Sequence, residues 1–218
     1  TAAAPVYVER TGATGPNPNP FNGIDVGSNS TPALADVDGD GDQDLVVGEA
    51  NGVLRYYENT GSATMLMYLE QSGAANPFDA IDAGDLSAPA FVDIGGDGDL
   101  DLVVGSSDGT LTVFENTGSA IAPVYAPSPL GLGNPFTGID VGANSVPAFT
   151  DVDGDGDLDL LVGEIGGTVQ VYENTGPVAT VYVANGTLVS PFAGLDVGGE
   201  GSRNIVLAGV GDDRVNHP

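Results

Sequence analysis

Cysteine is absent from the 218 residues, so neither disulfides nor thiolate metal sites are available. Lysine is absent too. The basic residues are Arg10, Arg55, Arg203 and Arg214, against 31 acidic ones, for a formal net charge of −27. Four scattered cations make no basic patch, and such an acidic chain repels both the phosphates of nucleic acid and an anionic membrane surface. The single histidine, His217, sits beside the C-terminus, which leaves none for a catalytic triad or a zinc cluster. No apolar run approaches the ~20 residues of a membrane-spanning helix. The chain starts on Thr1, as expected of a processed or trimmed polypeptide, and no signal peptide is visible.

Strong acidity with few apolar residues would read as disorder. Here 41% of residues are hydrophobic, and runs such as Leu45-Val46-Val47 and Leu160-Leu161-Val162 are rich in β-branched side chains. The acid is concentrated in the turns between such runs. That distribution predicts ordered structure awaiting cations.

The chain repeats itself. An acidic turn begins at Asp36, Asp93 and Asp151, at steps of 57 and 58 residues, and Glu-Asn-Thr-Gly begins at Glu58, Glu115 and Glu173 with the same steps. Pro-Phe recurs at Pro20, Pro77, Pro135 and Pro191, each time followed by a segment of the Gly-Ile-Asp-Val-Gly type. These landmarks define a single repeat array over 1–218. Its units span approximately 19–61, 76–118 and 134–176, with a degenerate terminal unit at 177–218 and an outer-strand segment plus a stiff linker at 1–18.

Within a unit the texture is β. Val169 and Val171 alternate with Gln170 and Tyr172, and Leu54 and Tyr56 with Arg55 and Tyr57, which predicts a strand with one well-buried face. The short run Asp-Leu-Val-Val-Gly predicts a central strand covered on both faces. Two further candidates flank these, so each unit is expected to hold about four short strands. No stretch shows helical periodicity.

Numbered from its first aspartate, the acidic turn carries carboxylates at positions 1, 3, 5 and 9: Asp36, Asp38, Asp40 and Asp44 in the first copy, Asp151, Asp153, Asp155 and Asp159 in the third. A tightly curled loop points alternate side chains inward, and converging hard oxygens suit Ca²⁺, which accepts 6–8 oxygens at about 2.3–2.6 Å. Position 7, which is Asp42, Asp99 or Asp157, would offer its backbone carbonyl. The helix-flanked calcium loop needs a glutamate at position 12, where this chain has Val47, Val104 or Val162. The second copy has Gly95 at position 3, leaving Asp93, Asp97 and Asp101, and predicts weaker binding. The competing reading is that these aspartates only cap their own turns.

The stretch from Pro147 to Gly176 resembles the FG-GAP/VCBS repeat, the calcium-loop blade also seen in integrin α-subunit propellers. The likeness covers three units, from about Asn19 to Gly176. It implies an all-β fold of tandem four-stranded β-propeller-type blades, three full repeats plus partial terminal units, with calcium-stapled hairpins between first and second strands. It places ligand roles on Asp36, Asp38, Asp40, Asp42 and Asp44, on Asp93, Asp97, Asp99 and Asp101, and on Asp151, Asp153, Asp155, Asp157 and Asp159, for about three Ca²⁺ ions. It also implies an extracellular or cell-surface location and a structural or adhesive role.

Propellers close with 4–8 blades. Three units plus fragments leave three outcomes open: a piece of a longer protein, an open array with capping ends, or a subunit whose ends mate with neighbours. The reading favours the last, a homo-oligomer or homopolymer assembled end to end. The alternative is a carbohydrate-binding, lectin-like module that takes surface glycans, or one that takes other extracellular proteins. Repetition of Glu58, Glu115 and Glu173 in every unit argues against a paired-carboxylate active site, because an active site is built once. Asp25, Asp82, Asp140 and Asp196 are expected to satisfy turn backbone, and Tyr56, Tyr57, Phe114 and Tyr172 to pack across strands rather than to stack on sugars. Phe21, Phe78, Phe136 and Phe192 are expected in the core between blades. Asn29-Ser30-Thr31 and Asn185-Gly186-Thr187 match a glycosylation tripeptide short enough to arise by accident.

Overall fold

The computed structural model describes residues 9, 10, 12, 14, 19–62, 65–128, 134–176 and 182–184. Phe192, Asp196, the second glycosylation tripeptide and most of the terminal segments lie outside them. The described residues form three four-stranded antiparallel sheets, each a simple meander. The first comprises β1 (Thr31–Ala35), β2 (Asp44–Gly48), β3 (Leu54–Asn59) and β4 (Tyr68–Gln71). The second comprises β5 (Ala88–Val92), β6 (Asp101–Gly105), β7 (Leu111–Asn116) and β8 (Tyr125–Pro127). The third comprises β9 (Val146–Thr150), β10 (Asp159–Gly163), β11 (Val169–Asn174) and β12 (Tyr182–Ala184). The remaining element is a 3₁₀ turn at Gly73–Ala75. No described helix is long and apolar enough to cross a membrane.

The expected central strands are present. Every residue of β2, β6 and β10 is buried. They are buried because the sheets pack face to face in chain order, β1 beside β5 and β5 beside β9. One core lies between the first two sheets. It joins Val46, Leu54 and Tyr56 to Leu102, Val104 and Phe114, with Phe78 from the linker between them. The second repeats it one unit on, joining Val103, Leu111 and Val113 to Leu160, Val162 and Tyr172 around Phe136.

This packing corrects one expectation about the third strands. The alternation predicts a single buried face, yet Tyr57, Phe114 and Tyr172 are as buried as the residues beside them. Phe114 faces the first sheet while Val113 faces the third, Tyr57 is covered by Val26 and Ile24 of its linker, and Tyr172 faces the second sheet; the polar partners of the alternation stay half-buried at the strand start. The four aromatics are packing residues and are not available to sugars. Phe78 and Phe136 are 1% exposed, as expected of a core between sheets, but Phe21 is 36% exposed and rests on Tyr68 at 4.8 Å. Phe21 has a described sheet on one side only.

The sheets are stitched near the ends of the central strands. A Cβ on Gly48 would lie 2.2 Å from the Ser87 carbonyl oxygen, and one on Gly105 equally close to that of Ser145, so glycine is what lets the next sheet approach. The Ser87 hydroxyl accepts from the Glu49 N–H at 3.1 Å, and the Ser145 hydroxyl from the Ser106 N–H at 2.9 Å. The residue before each serine turns with positive φ: Leu86 at 59° and Asn144 at 53°. Asparagine tolerates that conformation and leucine does not. Leu86→Asn is therefore expected to stabilise the chain by about 1 kcal/mol, read as a rise in melting temperature of a few degrees.

Candidate metal centre

Each acidic turn connects the first and second strands of its sheet, where the sequence resemblance places it. The chain curls there because alternate residues are glycines: Gly39 and Gly41 have φ of 73° and 93°, and Gly154 and Gly156 have φ of 84° and 99°. The carboxylates hold the curl by accepting N–H bonds from within it. In the first loop Asp36 Oδ2 accepts from Gly41 at 3.0 Å, Asp38 Oδ1 from Asp40 at 3.2 Å, and Asp40 Oδ1 from Asp42 at 2.8 Å. The third loop repeats these bonds with Asp151, Asp153 and Asp155. The turn-capping reading is thus correct as far as it goes.

Capping does not use all the oxygens. Asp36 Oδ1 is sealed from solvent and has no hydrogen-bond partner. A buried carboxylate oxygen with nothing to neutralise it is costly. One oxygen each from Asp36, Asp38 and Asp40 lie within 4.8 Å of one another, and the same holds for Asp151, Asp153 and Asp159. Oxygens sharing one Ca²⁺ at 2.3–2.6 Å lie no farther apart than about 5 Å. The donor set and its spacing fit a hard divalent cation in both loops, and in the first the orphaned oxygen fits too; in the third, Asp151 Oδ1 accepts from the Gly154 N–H at 2.6 Å. Asp36, Asp38 and Asp40 would hold it in the first loop, and Asp151, Asp153 and Asp159 in the third.

In the second loop, with Gly95 in place of an aspartate, both Asp93 oxygens are taken by N–H groups, from Asp97 at 3.1 Å and Gly98 at 3.0 Å. Asp97 caps Asp99. Among the described residues no three carboxylates of this loop converge as they do in the other two.

The aspartate at position 9 has a second role that sequence reasoning missed. Asp44 is 1% exposed; its Oδ2 accepts from the Val37 N–H at 3.1 Å and from the Tyr56 hydroxyl at 3.0 Å, and its Oδ1 accepts from the Asn59 N–H at 2.8 Å. Asp101 does the same for Ile94 and Asn116, and Asp159 for Val152 and Asn174. One side chain therefore ties the acidic loop to the far end of the third strand. The asparagine it anchors is that of Glu-Asn-Thr-Gly, and its own side-chain oxygen folds the next turn: Asn59 accepts from Gly61 and Met67, Asn116 from Gly118 and Val124. The signal for this was present, since Asp and Asn keep a fixed distance of 15 residues in every unit. As expected, Asp25, Asp82 and Asp140 cap the N–H of Gly27, Gly84 and Gly142.

The first loop also touches the second sheet. A cleft of about 180 Å³ is lined by Asp36, Gly39, Gly98, Ala120 and Tyr125 among others. A Cβ on Gly39 would come within 2.7 Å of the Ala120 carbonyl oxygen, so only glycine fits there.

Burial raises the carboxyl groups of Asp44 and Asp101 above the ordinary value of 3.8, against the pull of their N–H partners. Burial likewise raises Asp38, with the charges of Asp40 and Asp36 adding to it. A raised acid binds its proton more tightly folded than unfolded, so its contribution to stability grows as the pH falls through the folded pKa towards 3.8. In chelator, the melting temperature is expected to rise as the pH falls from 7 towards about 4. With calcium present the order reverses, because protons compete for the ligands. Calorimetric melts at the two pH values, with and without chelator, check both signs.

Residues 36–104 match the family model of the FG-GAP-like repeat. The matched span runs from the first carboxylate of the first loop to Val104 in β6. That segment is similar to an FG-GAP-like repeat, and the third loop and sheet repeat its strand order and its aspartate bonds. No curated protein matches the chain.

Proposed function

We propose that this chain is a non-enzymatic, calcium-stapled repeat module of the extracellular space or cell surface. Its sheets are arranged as the blades of a propeller, and its role is structural or adhesive, with copies associating end to end. The observation that carries the reading is the sealed, unpartnered Asp36 Oδ1 beside the carboxylates of Asp38 and Asp40. A loop that spends buried charge in this way gains most when a cation joins its two strands. Dilute intracellular calcium would leave weak sites empty, whereas extracellular modules with Kd of about 10⁻⁴–10⁻³ M fill.

Terbium, a luminescent stand-in for calcium, tests the reading. The Tyr68 hydroxyl donates to the Gln43 carbonyl at 3.1 Å, which places an aromatic antenna on the first loop. Tyrosine-sensitised terbium emission is expected, and calcium should quench it by competition. Emission that is absent, or that survives in the Asp36→Ala, Asp151→Ala double variant, would contradict the proposal.

A further inference from the structure

We propose that Asn22 is a modification site: its side-chain amide hydrolyses spontaneously, through a cyclic imide with Gly23, to a mixture of aspartate and isoaspartate. Neither the metal loops nor self-association enters into it.

The chemistry asks for little. The Gly23 backbone nitrogen attacks the side-chain carbonyl carbon of Asn22 and forms a C–N bond. The side-chain nitrogen leaves as ammonia, carrying off the proton that Gly23 gives up. Water then opens the ring at either carbonyl. One opening gives aspartate; the other gives isoaspartate, whose main chain runs through the former side chain and is one carbon longer. No electrons are exchanged, and water is the only co-reactant. A following glycine favours the step because no Cβ obstructs the ring, and asparagine is among the thermolabile residues.

The sequence holds three Asn-Gly pairs, Asn22-Gly23, Asn51-Gly52 and Asn185-Gly186, of which the last lies outside the described residues. Asn22 and Asn51 are both exposed and both sit in turns, so dipeptide and exposure treat them alike. The backbone does not. The Gly52 N–H donates to the Glu49 carbonyl at 3.2 Å. The same turn is stitched on two sides, the Ala50 N–H donating to the Ser28 carbonyl at 3.1 Å and the Leu86 N–H to the Ala50 carbonyl at 3.0 Å. A Cβ on Gly52 would lie 2.5 Å from the Gly84 carbonyl oxygen, so this pair is wedged against the linker to the next sheet. Its nitrogen is engaged and its peptide has no room to swing. Around Gly23 the opposite holds. Among the described residues its N–H has no acceptor, and a Cβ there would meet nothing within 4 Å.

This openness belongs to the repeat unit. Asp79 and Thr137 occupy the place of Asn22 in the second and third units and are exposed too, and a Cβ on Gly138, the counterpart of Gly23, also meets nothing within 4 Å. The turn closes alike in all three: the N–H groups of Ile24, Ile81 and Ile139 donate to the carbonyls of Phe21, Phe78 and Phe136 at 3.1, 2.9 and 2.9 Å. Asp79 also shows what one product does. The second unit keeps this turn with an aspartate in it, so the aspartate form of residue 22 leaves the turn intact. The isoaspartate form does not, because its extra carbon falls inside the ring that the Ile24 N–H and the Phe21 carbonyl close. Ile24 and Val26 cover Leu45, Val47 and Tyr57, so that product loosens the cover of the first sheet. Either product adds a negative charge.

The test incubates the full chain in millimolar calcium at mildly alkaline pH, folded or in guanidinium, and follows each asparagine by mass spectrometry. Digestion with a glutamate-specific protease cuts after Glu49 and so puts Asn22 and Asn51 on different peptides. In the folded chain the Asn22 peptide is expected to gain about one dalton and to split into aspartate and isoaspartate forms. It should do so at least about tenfold faster than the Asn51 peptide, which must first open locally. In guanidinium the two rates should converge, and an Asn22→Gln chain should lose the first gain. Equal rates in the folded chain would overturn the proposal, as would an Asn22 peptide that changes only in guanidinium. A tenfold difference that persists in guanidinium would place its cause in the local sequence and overturn the structural account.

Discussion

Stripping calcium is expected to lower the melting temperature by roughly 10–20 °C. The estimate starts from the two loops whose carboxylates converge, those of Asp36 and of Asp151. A site that binds only the folded chain stabilises it by about 2.7 kcal/mol when the ion is at 100 times its dissociation constant. Two such sites contribute about 5 kcal/mol, and in a chain of this size each kcal/mol moves the transition by about 2–4 °C. The physical source is local. With no cation, Asp36 Oδ1 stays buried and unneutralised beside two further carboxylates. Scanning calorimetry with and without chelator measures the shift, and a shift below about 3 °C would be too small for two sites.

The second large effect needs no metal. Asp101→Ala is expected to cost about 2–5 kcal/mol, or roughly 10 °C, because it leaves the buried N–H groups of Ile94 and Asn116 without an acceptor. The second loop is the place to test this, since its carboxylates do not converge on a common point as the others do. The loss should therefore be the same in chelator as in calcium. Asp97→Ala, an exposed position in the same loop whose side chain caps the Asp99 N–H, should cost much less. Equal losses from the two variants would mean that the tie from loop to third strand is energetically minor.

The contrast between these two effects shows what the sequence made legible. A step of 57–58 residues, repeated by independent landmarks, was enough to expect a recurring four-stranded unit with its acidic loop between the first and second strands. The glycine–aspartate alternation was enough to expect a curled loop with converging carboxylates. The second job of Asp44, Asp101 and Asp159 left only an indirect trace, the constant 15-residue step to the asparagine, because a carboxylate at position 9 of a metal loop looks the same whether it faces an ion or a backbone N–H.

The faces of the third strands were hidden for a related reason. Alternation reports which side of a strand avoids water within its own sheet. It cannot report that a neighbouring sheet, about one repeat along the chain, covers Phe114 or Tyr172 on the other side. Phe21 shows the converse. Its local sequence equals that of Phe78 and Phe136, and only the absence of a described sheet on one side sets it apart.

The most direct test of the central claim is calorimetric titration of the metal-stripped chain with calcium. Two ions are expected to bind each chain with matched affinity, and the Asp36→Ala, Asp38→Ala variant should lose one of the pair while keeping the other. A titration with no heat beyond dilution at millimolar calcium, or a stoichiometry unchanged in that variant, would contradict the account.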